Sequence, residues 1–127
     1  EFALVSGENG KPTVLDLDPQ KNGIDINLVL DEVKRGDKGV AKMIAENGLV
    51  LEIFTSELGL QFYTGSNLFS NSVGHCGKKY LPFSGFCLEP QNYPSSLTIP
   101  SFPNVIYTPD NPYRQTTTIK ICSEHDG

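Results

Sequence analysis

Three polar side chains lie in apolar or aromatic strand-like runs, where a polar group needs a reason to be. Glu89 falls in Phe83-Ser84-Gly85-Phe86-Cys87-Leu88-Glu89-Pro90-Gln91, Asp25 in Gly23-Ile24-Asp25-Ile26-Asn27, and Gln61 in Leu60-Gln61-Phe62-Tyr63. A lone carboxylate in an apolar strand carries a desolvation cost unless it is paired, exposed or functional. An apolar setting also makes a carboxylate hold its proton more tightly, which suits a general base working near neutral pH. Read singly, each of the three equally fits an ordinary polar residue on the wet face of a half-exposed strand. Taken together, two carboxylates, an amide and a neighbouring tyrosine are the groups a neutral-sugar site uses. Hydroxyls require acceptors and donors, and an aromatic ring covers a C–H face. The local pattern alone does not bring them together in space.

Other chemistries have no comparable signal. Glycine-rich phosphate loops, metal-ligand spacings and the serine-nucleophile elbow are absent, so neither a metal nor a cofactor is expected. Cys76, Cys87 and Cys122 leave one cysteine over however they pair, and their spacing fits neither a structural zinc site nor a redox motif. Reduced thiols and a cytoplasmic location are the expectation. His75 adjoins Cys76 and His125 lies near the C-terminus, but sequence neighbours rarely reach the geometry that activates a thiol nucleophile. Lys and Arg total 10 against 15 for Asp and Glu, a formal net charge of −5, with the basic residues scattered. Phosphate backbones are bound chiefly through positive charge, so neither a nucleic acid nor an anionic membrane is expected as partner. No run approaches the ~20 apolar residues that a membrane-spanning helix needs.

These side chains must be positioned by short strands. The chain has 127 residues, one domain at most, and its 12 glycines and 9 prolines favour many turns. Glu1 to Val5 reads as a short strand and Gly7 to Pro12 as a connector. Ile24 to Leu30 alternates before turning continuously apolar, a strand with a polar-facing start. Asn47-Gly48 between Gly39–Glu46 and Leu49–Thr55 predicts a β-hairpin with a tight type I′ turn. In Leu60 to Gly65, Gln61 and Tyr63 fall on one face, with Leu60 and Phe62 on the other. Residues 66–84 read as a long loop, Phe86–Glu89 as a strand ended by Pro90, and Tyr113–Cys122 as the last strand. Only Asp31 to Lys38 could make a helical turn. The fold class expected is antiparallel all-β.

Several segments, in order, carry a resemblance. Leu51-Glu52-Ile53-Phe54-Thr55-Ser56, Gly59-Leu60-Gln61-Phe62-Tyr63-Thr64-Gly65 and Ser84-Gly85-Phe86-Cys87-Leu88-Glu89-Pro90-Gln91-Asn92-Tyr93-Pro94 closely resemble the C-terminal part of the aldose 1-epimerases, or galactose mutarotases. The likeness continues through Phe102-Pro103, Pro109 and Tyr113-Arg114-Gln115-Thr116-Thr117, and back to Gly23-Ile24-Asp25. It implies a large antiparallel β-sandwich, the galactose mutarotase-like supersandwich, of which residues 1–127 would form the C-terminal portion of a single domain. It also implies interconversion of the α and β anomers of free hexoses such as galactose and glucose. In that reaction a carboxylate takes the proton of the anomeric hydroxyl while a histidine protonates the ring oxygen. By this resemblance Glu89 matches the catalytic base, Asp25 a sugar-binding aspartate and Gln61 a substrate-contacting glutamine, while Tyr63 is a wall or core residue.

The chain departs from the family pattern at Ile26, where a histidine is common after the aspartate, and at Pro90, where a threonine is common after the glutamate. The acid histidine, a second sugar-binding histidine and an arginine belong in the family to an N-terminal region outside these 127 residues. That segment is therefore an expected partner, and this chain alone is expected to be a poor catalyst that exposes sheet edges and an apolar face. Two other readings are a non-catalytic carbohydrate-binding protein of the same fold and a hexose-phosphate epimerase. The latter sits poorly with only Arg35 and Arg114 in the chain, since phosphate recognition favours arginine clusters.

Overall fold

A computed structural model describes residues 2–4, 13–14, 23–30 and 38–123. Its regular elements are the strands β1 (Phe2–Leu4), β2 (Thr13–Val14), β3 (Asp25–Val29), β4 (Ala41–Ile44), β5 (Leu49–Thr55), β6 (Gly59–Tyr63), β7 (Cys87–Gln91) and β8 (Thr117–Ser123). Among the described residues one 3-10 turn spans His75–Gly77 and no α-helix occurs. Among them, therefore, no helix is long and apolar enough to cross a membrane. Every strand pairing is antiparallel, as the alternating pattern predicts. Gly7 to Pro12, residues 31–37 of the expected helical turn, and His125 lie outside the described residues.

The strands form two sheets, one of five strands in the order β2-β1-β4-β5-β8 and one of three in the order β3-β6-β7. Side chains from both meet in one core. Leu30, Val40, Ala41, Ile53 and Leu60 are buried together, with Leu28, Leu51 and Leu88 packed against them. Alternation places these on the inward faces, as in a sandwich. In β6, Leu60 is 0 % and Phe62 2 % exposed, whereas Gln61 and Tyr63 on the opposite face are half-buried. Fully burying one such side chain is worth ~1.5–3 kcal/mol, so the register of β6 is strongly held. A one-residue slip would bury Gln61 and expose Leu60.

Coverage of the larger sheet is uneven. β8 is an edge strand, and its Ile119 and Ile121 are 59 % and 62 % exposed although they pair directly with Ile53 and Leu51 of the core face. The three-stranded sheet packs over β4 and β5 and leaves this flank bare.

Two turn details differ from expectation. The β4–β5 hairpin is present, but only Gly48 has a positive φ (81°). The Gly48 amide bonds to the Ala45 carbonyl at 2.9 Å, and Ala45 bonds to Leu49 at 2.8 Å. Glu46, Asn47 and Gly48 thus form a three-residue loop with a left-handed glycine, not a type I′ turn, which needs positive φ at Asn47 as well. Pro90 does not end β7, which continues to Gln91. As an edge strand, β7 tolerates a residue without an N–H.

Candidate functional site

The three-stranded sheet brings the predicted site residues onto one face. Antiparallel register sets Asn27 opposite Gln61 and Gln61 opposite Glu89, so these three form a row across β3, β6 and β7. One step along the strands, Asp25 lies opposite Tyr63, and Tyr63 opposite Cys87. All six alternate away from Leu28, Leu60 and Leu88, so they share the sheet's outer face. Gln61 Nε2 donates to Asp25 Oδ1 at 2.7 Å, which fixes the amide's orientation. The Tyr63 hydroxyl accepts the Asn67 backbone N–H at 2.9 Å and anchors the chain as it leaves β6.

Glu89 and Asp25 are both exposed, and among the described residues neither has a lysine or arginine partner. The expectation of a desolvated Glu89 therefore fails within this chain, because nothing described here covers the outer face of β7. Among the described residues the buried carboxylate is instead Glu57, only 4 % exposed, which local pattern did not single out. The Tyr113 hydroxyl donates to Glu57 Oε1 at 2.6 Å, while Oε2 is buried without a partner. That hydrogen bond, with burial and the carboxylate charge adding to it, pushes the Tyr113 hydroxyl up to about 12. Glu57 and Tyr113 help line a cleft of about 310 Å³ with Asn92, Tyr107 and Arg114, off the Asn27–Gln61–Glu89 row. Sequence reading could have found Glu57 only by pairing it with Tyr113, 56 positions away.

Asn27 is a second residue that sequence reading passed over. Its amide nitrogen is buried with no hydrogen-bond partner, directly beside Gln61. Its side chain lies over Gly59, where an added Cβ would sit 2.8 Å from Asn27 Oδ1, so the glycine makes room for it. The signal available in the sequence was the two-residue spacing from Asp25, which puts both on one face of a strand.

No cluster of three potential metal ligands occurs among the described residues. His75 and Cys76 lie exposed on the 3-10 turn, and Cys76, Cys87 and Cys122 are all unbonded.

The two antiparallel sheets define an all-β sandwich segment, with acidic and amide groups displayed on the outer face of the smaller sheet. The comparison with known families is specific. The sequence profile of the aldose 1-epimerases matches residues 3–120, and the chain belongs to that family. It is 41 % identical over 96 residues to a galactose mutarotase of Sus scrofa, covering 76 % of this chain and 28 % of that protein. Against the galactose mutarotase of Homo sapiens it is 40 % identical over 100 residues, covering 79 % and 29 %. That of Bos taurus is 39 % identical over 127 residues, covering 95 % and 37 %. The chain thus spans about a third of the length of these relatives.

Proposed function

We propose that this chain forms the C-terminal part of an aldose 1-epimerase that interconverts the α and β anomers of free hexoses such as galactose and glucose. The observation that carries the reading is the convergence of Asp25, Gln61 and Glu89 on one face, with Gln61 held by Asp25 at 2.7 Å and facing Glu89 across the β6–β7 ladder. Strands lie ~4.8 Å apart, so β3 and β7 are about 10 Å apart across the row, a span that one monosaccharide can bridge. Carboxylates with no cationic partner among the described residues suit a ligand that donates hydroxyl hydrogens and bears no phosphate.

Glu89 accepts the proton of the anomeric hydroxyl. A histidine from a segment outside these residues protonates the ring oxygen, the C1–O5 bond opens, rotation about C1–C2 presents the other face of the aldehyde, and ring closure reverses both proton transfers. Asp25 and Gln61 hold the sugar hydroxyls and keep C1 at the base. The closing segment would also cover the open outer face and desolvate Glu89. Three unbonded cysteines are in keeping with a reducing, cytoplasmic setting.

Polarimetry of freshly dissolved α-glucose or α-galactose tests the reading in the complete protein. Glu89→Gln is expected to lower the rate by ~10²–10⁴-fold, the contribution of a positioned general base, with the fold intact. An unchanged rate overturns the assignment of Glu89.

A further inference from the structure

Beside the row, polar contacts tie β7 to the larger sheet. The Pro90 carbonyl, one residue past Glu89, accepts a hydrogen bond from Gln115 Nε2 at 3.2 Å. The same amide nitrogen donates to Thr117 Oγ1 at 3.1 Å. Thr117 opens β8 directly opposite Thr55 of β5, and their hydroxyl oxygens are 3.0 Å apart. Thr55 is 1 % exposed, and its hydroxyl also accepts the Glu57 backbone N–H at 3.2 Å. Gln115 therefore reaches from an edge strand to an anchor in the buried part of the five-stranded sheet. The same stretch is secured nearby by the Tyr113–Glu57 bond and by Asn92 Nδ2 donating to the Tyr107 hydroxyl at 3.3 Å.

β7 needs such a hold. An edge strand has a ladder on one side only, and the Pro90 carbonyl, which Gln115 takes, points away from that ladder. The pyrrolidine ring fixes φ of Pro90 near −65°, leaving ψ as its one soft backbone torsion. The hydrogen bond from Gln115 to the Pro90 carbonyl restrains that ψ. Ring and amide together leave the Glu89–Pro90 unit little freedom to twist.

We propose that Gln115 is a positioning residue for Glu89: its side-chain amide, braced on Thr117, clamps the Pro90 carbonyl and so aims the Glu89 carboxylate along the row shared with Gln61 and Asp25. The proposal rests on Glu89 being the base. It also gives Pro90 a role, since the residue that departs from the family pattern supplies the rigid half of the clamp.

The test compares Gln115→Ala and Gln115→Met in the complete protein, with hydrogen–deuterium exchange over residues 87–91 and polarimetric kcat and KM as readouts. Met keeps the length of Gln and removes its donors. Both variants are expected to speed exchange in 87–91 several-fold while leaving the β4–β5 hairpin unchanged. Misaiming a catalytic group by a fraction of an ångström to 1 Å costs up to ~10²-fold, so kcat should fall about ten- to a hundredfold with KM within about twofold. A Gln115→Met variant that behaves like wild type overturns the proposal, because packing rather than hydrogen bonding would then be the role. Faster exchange with unchanged kcat overturns it equally. If wild type itself does not mutarotate sugars, or Glu89→Gln is silent, the base assignment has failed; unchanged exchange in 87–91 then shows separately that Gln115 does not hold β7.

Discussion

The outer faces of the two sheets each carry a polar row across three antiparallel strands, and the rows are built on opposite electrostatic terms. In the five-stranded sheet the row is Lys42–Glu52–Lys120, with both ammonium groups 3.4 Å from the Glu52 carboxylate. Burial pushes the Glu52 carboxyl up, but hydrogen bonds and charges from Lys42 and Lys120 outweigh it and hold the carboxyl below the usual carboxylate range. In the three-stranded sheet the row is Asn27–Gln61–Glu89, flanked by Asp25, with two carboxylates, two amides and no cation. The first row is complete in itself. The second has hydrogen-bonding capacity left over: exposed carboxylate oxygens and a buried, unpartnered Asn27 amide nitrogen. Within one fold, the neutralised charge row lies on a solvated structural face, and the unneutralised one is the face on which the proposed sugar site is built.

Substitutions should separate the rows sharply. The largest effect belongs to Glu89→Gln, with its ~10²–10⁴-fold loss of mutarotation. Asp25→Asn comes next: it weakens charge-assisted hydrogen bonds to the sugar and to Gln61, each worth about 1.5–3 kcal/mol, so KM should rise roughly ten- to a hundredfold. An unaltered KM and kcat would remove Asp25 from the site. Glu52→Gln is expected to leave mutarotation unchanged and barely move the melting temperature, since exposed ion pairs contribute little. A loss of activity there would erase the contrast between the rows.

The smallest expected effect at neutral pH concerns the buried carboxylate. In the folded protein the Tyr113 hydroxyl ionises at about 12, above the ordinary tyrosine value of ~10. The folded state therefore holds this proton more tightly than the unfolded state. The resulting stabilisation is fully present below pH ~10 and is lost as pH rises from there through about 12. Tyrosinate absorbance should show one late-titrating tyrosine, and Glu57→Gln should return it towards the others. Titration of all tyrosines together would contradict the Tyr113–Glu57 bond.

Much of the architecture was readable from alternation. Leu60 and Phe62 against Gln61 and Tyr63 is the clearest instance, because a two-residue period has a single solution when one face must be dry. The hairpin at Asn47-Gly48 was readable as a hairpin but not as a turn type, since one left-handed glycine serves a three-residue loop as well as a two-residue one. Pro90 was misread as a stop. Proline is excluded from the ladder, not from an edge, and edge or centre is a property of the sheet. Glu57 escaped notice because its burial depends on Tyr113, far along the chain.

The sequence by itself determined most of the strands, their inward faces and the family, because periodicity and motif order are written locally along the chain; β2 carried no such signal, and β8 begins at Thr117 rather than Tyr113. It also nominated Glu89, Asp25 and Gln61. Only tertiary structure decided that β3, β6 and β7 are neighbours, which aligns the three residues on one face, and that Glu57 rather than Glu89 is the buried carboxylate. Pairing between strands 28 and 34 residues apart, Gln61 to Glu89 and Asn27 to Gln61, is settled by which apolar faces can share a core, and that competition involves the whole fold at once.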